Sequence, residues 1–182
     1  MHYLLAAILF LAPHLSKPTA RNYARIIKTE AVRKQIDPLL VVSFIHVETF
    51  RRWDPRVKSV TNDYGLCQVH VAVRGSARFL GREEELYNPR TNVREWVRLA
   101  DMWRAYHYRE CEIHTKVCYH DPEEGPWGCE NMVLHKADHP WWAHLKWGFK
   151  VKDQKHAMKV RNIFEMLRRK FRPEAVAQLR EE

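Results

Sequence analysis

The chain has 182 residues, of which 46% are hydrophobic, with seven Trp and only six Gly. This length is enough for one domain with a hydrophobic core, or for one domain with an inserted subdomain, and the composition is typical of a globular, mainly α-helical protein. No internal repeat or low-complexity tract appears, which excludes a repeat architecture. The net charge of +9 favours an anionic partner such as nucleic acid, a membrane face or an acidic cell-wall polymer.

The N-terminal segment contains an apolar run from Leu4 to Ala12, which is too short to span a bilayer. We interpret residues 1–20 as a signal segment, with Ala20 after Thr19 as the cut site, although its start carries no Lys or Arg. The alternative is a short hydrophobic helix that packs on the domain. The first interpretation predicts an exported protein, periplasmic, extracellular or phage-associated, without a stable membrane span.

A buried helix is predicted to start at Asp37, a good N-cap residue, followed by Pro38 at the first helical position. The next residues are apolar on every side of the helix, as expected in a core. They are Leu39, Leu40, Val41, Val42, Phe44, Ile45 and Val47. The helix therefore has almost no polar face, and it ends at Glu48.

Glu48 stands one helical turn beyond Phe44 and Ile45, beside the apolar surface. A carboxyl held against such a surface loses solvation, which favours its protonated form. A general acid needs a proton to donate near neutral pH. The alternative is a structural glutamate that turns outward or pairs with Arg51 or Arg52.

Spacing predicts three further helices. Residues 22–36 form an amphipathic helix whose buried stripe is Ala24, Ile27, Ala31 and Val32. Asn92 caps a long helix, with Glu95 as its capping-box partner and a stripe of Val93, Trp96, Val97, Ala100 and Trp103. Residues 155–171 form the last helix, with Ala157, Val160, Phe164, Leu167 and Phe171 on one face and basic residues on the other.

Between these helices the chain is irregular. Residues 56–70 contain the turn formers Asn62, Asp63 and Gly65 and are expected to form a loop with a small β element across the end of the Glu48 helix. Residues 72–80 are predicted to form a short helix that ends at Gly81.

Three short motifs succeed each other along the chain: Glu48-Thr49, then Gly65-Leu66-Cys67-Gln68, then Asn88-Pro89-Arg90-Thr91-Asn92-Val93. Together they resemble the lytic transglycosylase and goose-type lysozyme group over residues 37–106. Cys67 stands where that group usually has Met. The resemblance implies a mainly α, lysozyme-like domain over residues 21–172 with at most a small β element, with a charged tail after it at residues 173–182.

The resemblance also implies cleavage of the β-1,4 bond between N-acetylmuramic acid and N-acetylglucosamine. Glu48 would act as acid and then as base, leaving a 1,6-anhydro end, with no metal or other cofactor. A hydrolytic lysozyme would instead use a second carboxylate to position water. Asp63 is the best candidate for this role and Asp54 the second, although Asp63 is also an ordinary turn residue.

The predicted substrate-binding residues are Thr49, Asp63, Tyr64 and Gln68. Thr49 and Gln68 would hydrogen-bond the sugar or hold Glu48 in place. The expected partner is the glycan strand of peptidoglycan, bound by a monomer.

Residues 108–140 look like a Cys/His-rich insertion or long loop. A disulfide there could join Cys111 to Cys118 or Cys118 to Cys129. The alternative is a structural zinc site among Cys111, His114, Cys118 and Cys129, with His120 nearby. His46, two residues before Glu48, is interpreted as a structural helix histidine.

A nucleic-acid binder is the leading alternative from another class. Residues 146–172 carry ten Lys or Arg against Asp153 and Glu165, with aromatic residues nearby. No nucleic-acid-binding motif is present, so nucleic acid is not expected as a partner. A third alternative is a wall-binding relative that keeps the fold without activity.

Overall fold

The computed structural model describes residues 2–71, 76–118 and 154–171. In these ranges the protein is mainly helical, with α1 (His2–Leu11), α2 (Lys17–Val32), α3 (Pro38–Glu48), α4 (Pro89–Cys118) and α5 (Gln154–Phe171). A two-stranded antiparallel sheet joins β1 (Asp63–Tyr64) to β2 (Val69–His70), and Ala77–Phe79 and Glu83–Tyr87 are 3₁₀ helices. The predicted fold class, mainly α with a small β element, is confirmed.

The chain divides into two compact units, Met1–Leu99 with Met158–Glu182, and Ala100–Ala157. The first unit contains all three sequence motifs. In the second unit, Arg104 donates a hydrogen bond to Asp101 at 2.6 Å, one helical turn away on α4.

Helix α3 lies at the centre of the first unit, in contact with α1 and α2. Nearly all of its side chains are buried, because it has no polar face. The predicted start is confirmed: the Asp37 carboxylate accepts a hydrogen bond from the Leu39 N–H at 2.9 Å, and Pro38 is the first helical residue. Local capping chemistry therefore sets where the helix that carries Glu48 begins.

Helix α1 packs into the same core through Leu4, Ala7 and Ile8, which are fully buried. This is the arrangement that the alternative to a signal segment expects. Cleavage at Ala20 remains a prediction. Among the described residues, no helix combines the length and apolar character needed to cross a membrane.

Helix α2 begins and ends earlier than the predicted residues 22–36. Ser16 caps it by accepting a hydrogen bond from the Thr19 N–H at 3.2 Å, and the helix ends at Val32. Ala24, Ile27 and Ala31 are buried as expected. Val32 is 58% exposed, so its assignment to the buried stripe was wrong. The helix ends there, and its side chain no longer lies on the apolar face.

The predicted start of the long helix α4 was also wrong. Asn88 is the N-cap, because its side-chain oxygen accepts hydrogen bonds from the N–H groups of Arg90 and Thr91 at 3.0 and 3.2 Å. Asn92 and Glu95 lie inside the helix, where both are fully buried. Each has a partner outside α4: Asn92 accepts a hydrogen bond from the Cys67 N–H, and Glu95 forms an ion pair with Arg78.

The apolar stripe of α4 is confirmed for Val93, Trp96, Val97 and Ala100, all buried, while the side chain of Trp103 lies outside the described part. The helix continues to Cys118, so the predicted Cys/His-rich segment begins as helix. The rest of that segment, residues 119–140, lies outside the described ranges.

Helix α5 begins within a residue of its predicted start and ends at the predicted one. Val160 and Leu167 are buried, and Phe164 and Phe171 are half-buried. The side chain of Ala157 is not among those described. Of the predicted helix at residues 72–80, only the 3₁₀ turn Ala77–Phe79 falls in the described ranges, with Gly81 after it at φ +75°.

Candidate active site

Glu48 is the last residue of α3 and is only 4% exposed. The alternative in which it turns outward to solvent is therefore wrong. The exposed side chains are those of its neighbours Arg51 and Arg52.

Thr49 comes directly after Glu48 and is fully buried. Its hydroxyl donates to the Ile45 carbonyl at 2.7 Å and accepts from the Trp53 N–H at 3.1 Å. These two bonds connect the last turn of α3 to the chain that leaves it. They hold the backbone on both sides of the Glu48 carboxyl.

The turn after α3 has an unusual backbone. Phe50, Arg51 and Trp53 have φ angles of +49°, +69° and +56°, a region that non-glycine residues rarely occupy. Such conformations persist only where surrounding contacts determine them, and they are common near functional sites. The contacts here include backbone hydrogen bonds from Phe50 and Arg51 to the last turn of α3, His14 Nε2 at 3.0 Å from the Arg52 carbonyl oxygen, and the contacts of Trp53.

Trp53 is almost fully buried and stacks on Tyr23, with ring centroids 6.2 Å apart. Its indole N–H donates to Nδ1 of His46 at 3.3 Å, and the Tyr23 hydroxyl donates to its carbonyl at 3.4 Å. His46 is thus a satisfied structural histidine, as predicted. The role of Trp53 in holding the turn beyond Glu48 was missed, although its position shortly after Glu48 was a usable signal.

The second motif forms the turn between β1 and β2. Gly65 has φ +73°, and its N–H donates to the Val57 carbonyl at 2.8 Å. A Cβ at this position would overlap the Asn92 side-chain amide and the Leu86 carbonyl oxygen. Glycine is therefore required here by both the backbone angle and the close approach of α4.

Asn92 joins the third motif to the second. Its Oδ1 accepts a hydrogen bond from the Cys67 N–H at 2.7 Å, and its Nδ2 donates to the Tyr64 carbonyl at 2.7 Å. All of these groups are buried, so the bonds replace solvent that cannot reach them. The sequence interpretation of Asn92 as a helix cap missed this role.

Cys67 links the second motif to the first. The thiol is buried among the described residues, and burial, followed by the charge of Glu48, raises its pKa well above the ordinary value. The thiol therefore stays in its neutral form, and the influence of Glu48 on its pKa shows that the two side chains lie near each other. The structure thus brings together Glu48, the Gly65–Gln68 turn and Asn92.

Asp63 is engaged within its own hairpin. One carboxylate oxygen pairs with His70 Nδ1 at 2.9 Å, and the other accepts from the hydroxyls of Ser59 and Thr61 at 2.7 and 2.6 Å. Asp54 accepts from the Arg56 N–H at 2.8 Å in a local turn. Both carboxylates serve as acceptors within their loops.

Gln68 and Tyr64 flank the same turn. The Gln68 amide donates to the carbonyls of Val57 and Gly65 at 3.1 and 2.8 Å, which ties the turn to the preceding loop. Tyr64 is buried, with the Tyr87 ring 5.9 Å away and the Lys58 ammonium 5.0 Å from its ring centroid. Thr49 and Gln68 thus hydrogen-bond the backbone around the predicted site, whereas the Tyr64 ring packs against other side chains.

Among the residues described, no group of three or more His, Cys, Asp or Glu could hold a metal ion. The zinc alternative at Cys111, His114, Cys118 and Cys129 falls on side chains outside the described part, as do the two possible disulfides. The aromatic residues of the nucleic-acid alternative, at 141–149, also lie outside it.

Comparison with known proteins gives a partial match. The chain is 33% identical over 91 residues to the membrane-bound lytic murein transglycosylase E of Buchnera aphidicola subsp. Acyrthosiphon pisum (strain APS). The match covers 46% of this chain and spans 40% of that protein's length. No family model matches the chain, and no solved structure matches it. The similarity points to the lytic transglycosylase family for part of the chain.

Proposed function

We propose that this protein cleaves the glycan strands of peptidoglycan between N-acetylmuramic acid and N-acetylglucosamine, with Glu48 as the catalytic residue. The observation that carries the proposal is the burial of Glu48 at the end of α3, near enough to Cys67 to influence the pKa of its thiol, while Asn92 holds the backbone of the Gly65–Gln68 turn. The partial similarity to a lytic murein transglycosylase supports the same class of substrate.

In the proposed reaction, protonated Glu48 donates its proton to the glycosidic oxygen as the bond from that oxygen to C1 of the muramic acid breaks. The substrate's acetamide shares the positive charge that develops at C1. The Glu48 carboxylate then takes the proton of the C6 hydroxyl, whose oxygen bonds to C1 and closes the 1,6-anhydro ring. One carboxyl serves both steps, and no water is consumed.

The engagement of Asp63 supports the transglycosylase over a hydrolytic lysozyme. A carboxylate that positions water needs an oxygen directed at that water, whereas both oxygens of Asp63 accept hydrogen bonds from its own hairpin. Asp54 is likewise bonded to its own turn. We therefore infer that the released ends are anhydro ends.

Thr49 and Gln68 are proposed as positioning residues. The Thr49 hydroxyl bridges the last turn of α3 to Trp53, and the Gln68 amide ties the motif turn to Val57. Positioning of this kind matters because general acid catalysis requires the carboxyl within hydrogen-bond reach of the leaving oxygen. The proposal places this chemistry in a domain over residues 21–172 of an exported protein.

The test is clearing of a peptidoglycan suspension by the parent and by Glu48→Gln. We expect Glu48→Gln to lower the rate by about 10²–10⁴-fold, the usual contribution of a general acid. Glu84→Gln is the matched control, since Glu84 is exposed on the second 3₁₀ helix, and it should clear at the parental rate. Equal clearing by parent and Glu48→Gln would overturn the proposal.

The product distinguishes the two reactions. Mass spectrometry of the fragments should show ends lighter by one water than hydrolytic ends, in the parent and in Asp63→Asn alike. The clearing activity of Asp63→Asn should stay within about tenfold of the parental activity. The substitution removes a carboxylate that holds the hairpin, and the proposed proton transfers do not use that carboxylate. Hydrated ends from the parent, together with loss of clearing in Asp63→Asn, would assign the hydrolytic mechanism.

A further inference from the structure

A cleft of about 330 Å³ lies in the first unit, between the two 3₁₀ helices and the first turns of α4. It is lined by Arg78, Phe79, Arg82, Glu85, Thr91 and Arg94. None of these residues belongs to the proposed catalytic site. Its volume is at the small end of the range for ligand sites, which suits a short segment and not a broad polymer surface.

Two buried carboxylates organise the arginines around the cleft. Glu30 on α2 accepts hydrogen bonds from two guanidinium nitrogens of Arg94, both at 3.3 Å. It also forms ion pairs with Arg33 at 3.5 Å and Arg90 at 4.0 Å. Glu95 on α4 receives a bidentate pair from Arg98 at 3.0 and 2.8 Å and a further ion pair from Arg78.

The resulting charge is strongly positive. Among the described residues, five guanidinium groups surround these two carboxylates, which leaves a surplus of three positive charges. The carboxylates are at most 4% exposed, whereas Arg78 and Arg94 are more than half exposed. Of the five, Arg78 and Arg94 line the cleft, where their exposed guanidinium groups lie outside the buried carboxylates. Arg82 and Glu85 pair with each other and add no net charge.

Arginine forks of this kind match the planar, two-oxygen geometry of a carboxylate. Thr91 adds a hydroxyl, and Phe79 adds an apolar wall whose ring lies 5.1 Å from the Arg78 guanidinium carbon. The cleft therefore combines cationic, polar and apolar groups in a small volume. A short peptide with free carboxylates has the complementary chemistry.

The cleft is next to the catalytic framework. Thr91 directly precedes Asn92, which holds the Gly65–Gln68 turn. Glu85 directly precedes Leu86, whose carbonyl oxygen lies against Gly65. Two residues that line the cleft, Glu85 and Thr91, are therefore the sequence neighbours of Leu86 and Asn92, which contact the Gly65–Gln68 turn.

We propose that this arginine cleft binds the carboxylate-bearing peptide that the glycan strand carries on its muramic acid residues. The inference rests on the proposed function, since that function makes the glycan strand the ligand. It predicts that the protein prefers peptide-bearing strands over bare glycan of the same length, and that the preference weakens as salt screens the charges.

The test measures binding of two ligands to the full chain carrying Glu48→Gln, so that neither ligand is cut. The ligands are short peptidoglycan strands with their peptides and the same strands after an amidase has removed the peptides. We compare this chain with versions that also carry Arg82→Glu or Arg25→Glu. Among the described contacts, the Arg82 side chain bonds only the exposed Glu85, and the exposed Arg25 side chain bonds Asn22 on α2. Each substitution changes the net charge by the same amount, but only Arg82 lines the cleft.

The expected result is tighter binding of the peptide-bearing strand, by roughly five- to twentyfold. Arg82→Glu should abolish this preference and Arg25→Glu should retain it. Equal binding of both ligands, or equal effects of the two charge reversals, would overturn the cleft proposal.

Wall clearing by the parent is measured separately, so that the cleft proposal and the catalytic proposal can fail independently. Clearing by the parent without any preference for peptide-bearing strands would refute the cleft proposal alone. A retained preference without clearing would refute the catalytic proposal alone.

Discussion

Asn92 accepts a hydrogen bond from the backbone N–H of Cys67 at 2.7 Å, across 25 residues of sequence. The other end of the same amide donates to the Tyr64 carbonyl at 2.7 Å. One side chain on α4 therefore satisfies the backbone on both sides of the turn at Gly65. Glu48 contributes to the raised pKa of the Cys67 thiol, so these two side chains lie near each other. This relationship joins the three motifs into one candidate site.

Replacing Asn92 by Ala should therefore damage both stability and activity. It would leave the buried Cys67 N–H and Tyr64 carbonyl without their partner, at a cost of roughly 1–3 kcal/mol each. Urea unfolding should show a loss of about 2–5 kcal/mol, and the clearing rate should fall. Asn22→Ala is the control, because Asn22 is exposed and bonds only Arg25 in the described contacts. A loss below about 0.5 kcal/mol in Asn92→Ala, as at an ordinary surface site, would contradict the assignment.

Gly65 and Gly81 form a matched pair for testing the close approach of α4. Both have positive φ, +73° and +75°, so Ala costs about 1–2 kcal/mol of backbone strain at either position. Only at Gly65 would the new Cβ overlap Asn92 and Leu86, which adds about 1–3 kcal/mol. Thermal unfolding should therefore show a clearly larger loss for Gly65→Ala than for Gly81→Ala. Equal losses would mean that the overlap is relieved without cost.

Thr49 should act through its hydroxyl. Thr49→Val keeps the shape but leaves the buried Trp53 N–H without an acceptor, at about 1–3 kcal/mol. Thr49→Ser keeps both hydrogen bonds and should lose only about 1 kcal/mol for the missing methyl group. We expect Thr49→Val to lower clearing activity and Thr49→Ser to restore most of it, measured at equal folded concentration. The reverse order would assign the role of Thr49 to its methyl group.

His46 should make folding depend on pH. Burial lowers the pKa of His46 from its ordinary value, followed by the charges of Arg51 and His14. The unfolded chain therefore binds a proton at higher pH than the native protein. Stability should be complete above about pH 6.5 and should fall as pH decreases from 6.5 towards the lower pKa of the folded protein.

Urea unfolding at pH 7.5 and 5.5 measures this effect. His46→Gln can still accept the Trp53 N–H through its amide oxygen but does not titrate, so its stability should change less between the two pH values. The same pH slope in parent and variant would assign the dependence to other groups.

Several features of the fold are set by local sequence. The start of α3 was predicted because its cap is a hydrogen bond between Asp37 and a residue two positions away. The buried faces of α2 and α4 were largely predicted because helical spacing repeats within a single element. His46 was interpreted correctly for a similar reason, since it belongs to a helix with no solvent-facing side.

Other features were not accessible from local sequence. Asn92 has the spacing of a capping box with Glu95, but Asn88 caps the helix and leaves both residues for other partners. Asp63 could have positioned water or closed a turn, and only the folded hairpin shows both oxygens engaged with His70, Ser59 and Thr61. The arginine cleft depends on two buried carboxylates from different helices.

The sequence by itself thus determined the helical class, the start of the helix that carries Glu48 and the identity of the candidate catalytic carboxyl. These depend on caps, periodicity and motif order, which act over a few residues or are read directly along the chain. Only the tertiary structure decided which groups hold the Gly65–Gln68 turn and that Asp63 is engaged by Ser59, Thr61 and His70. The physical reason is that a buried polar group must find a partner, and the partners of Asn92 stand 25 and 28 residues away along the chain.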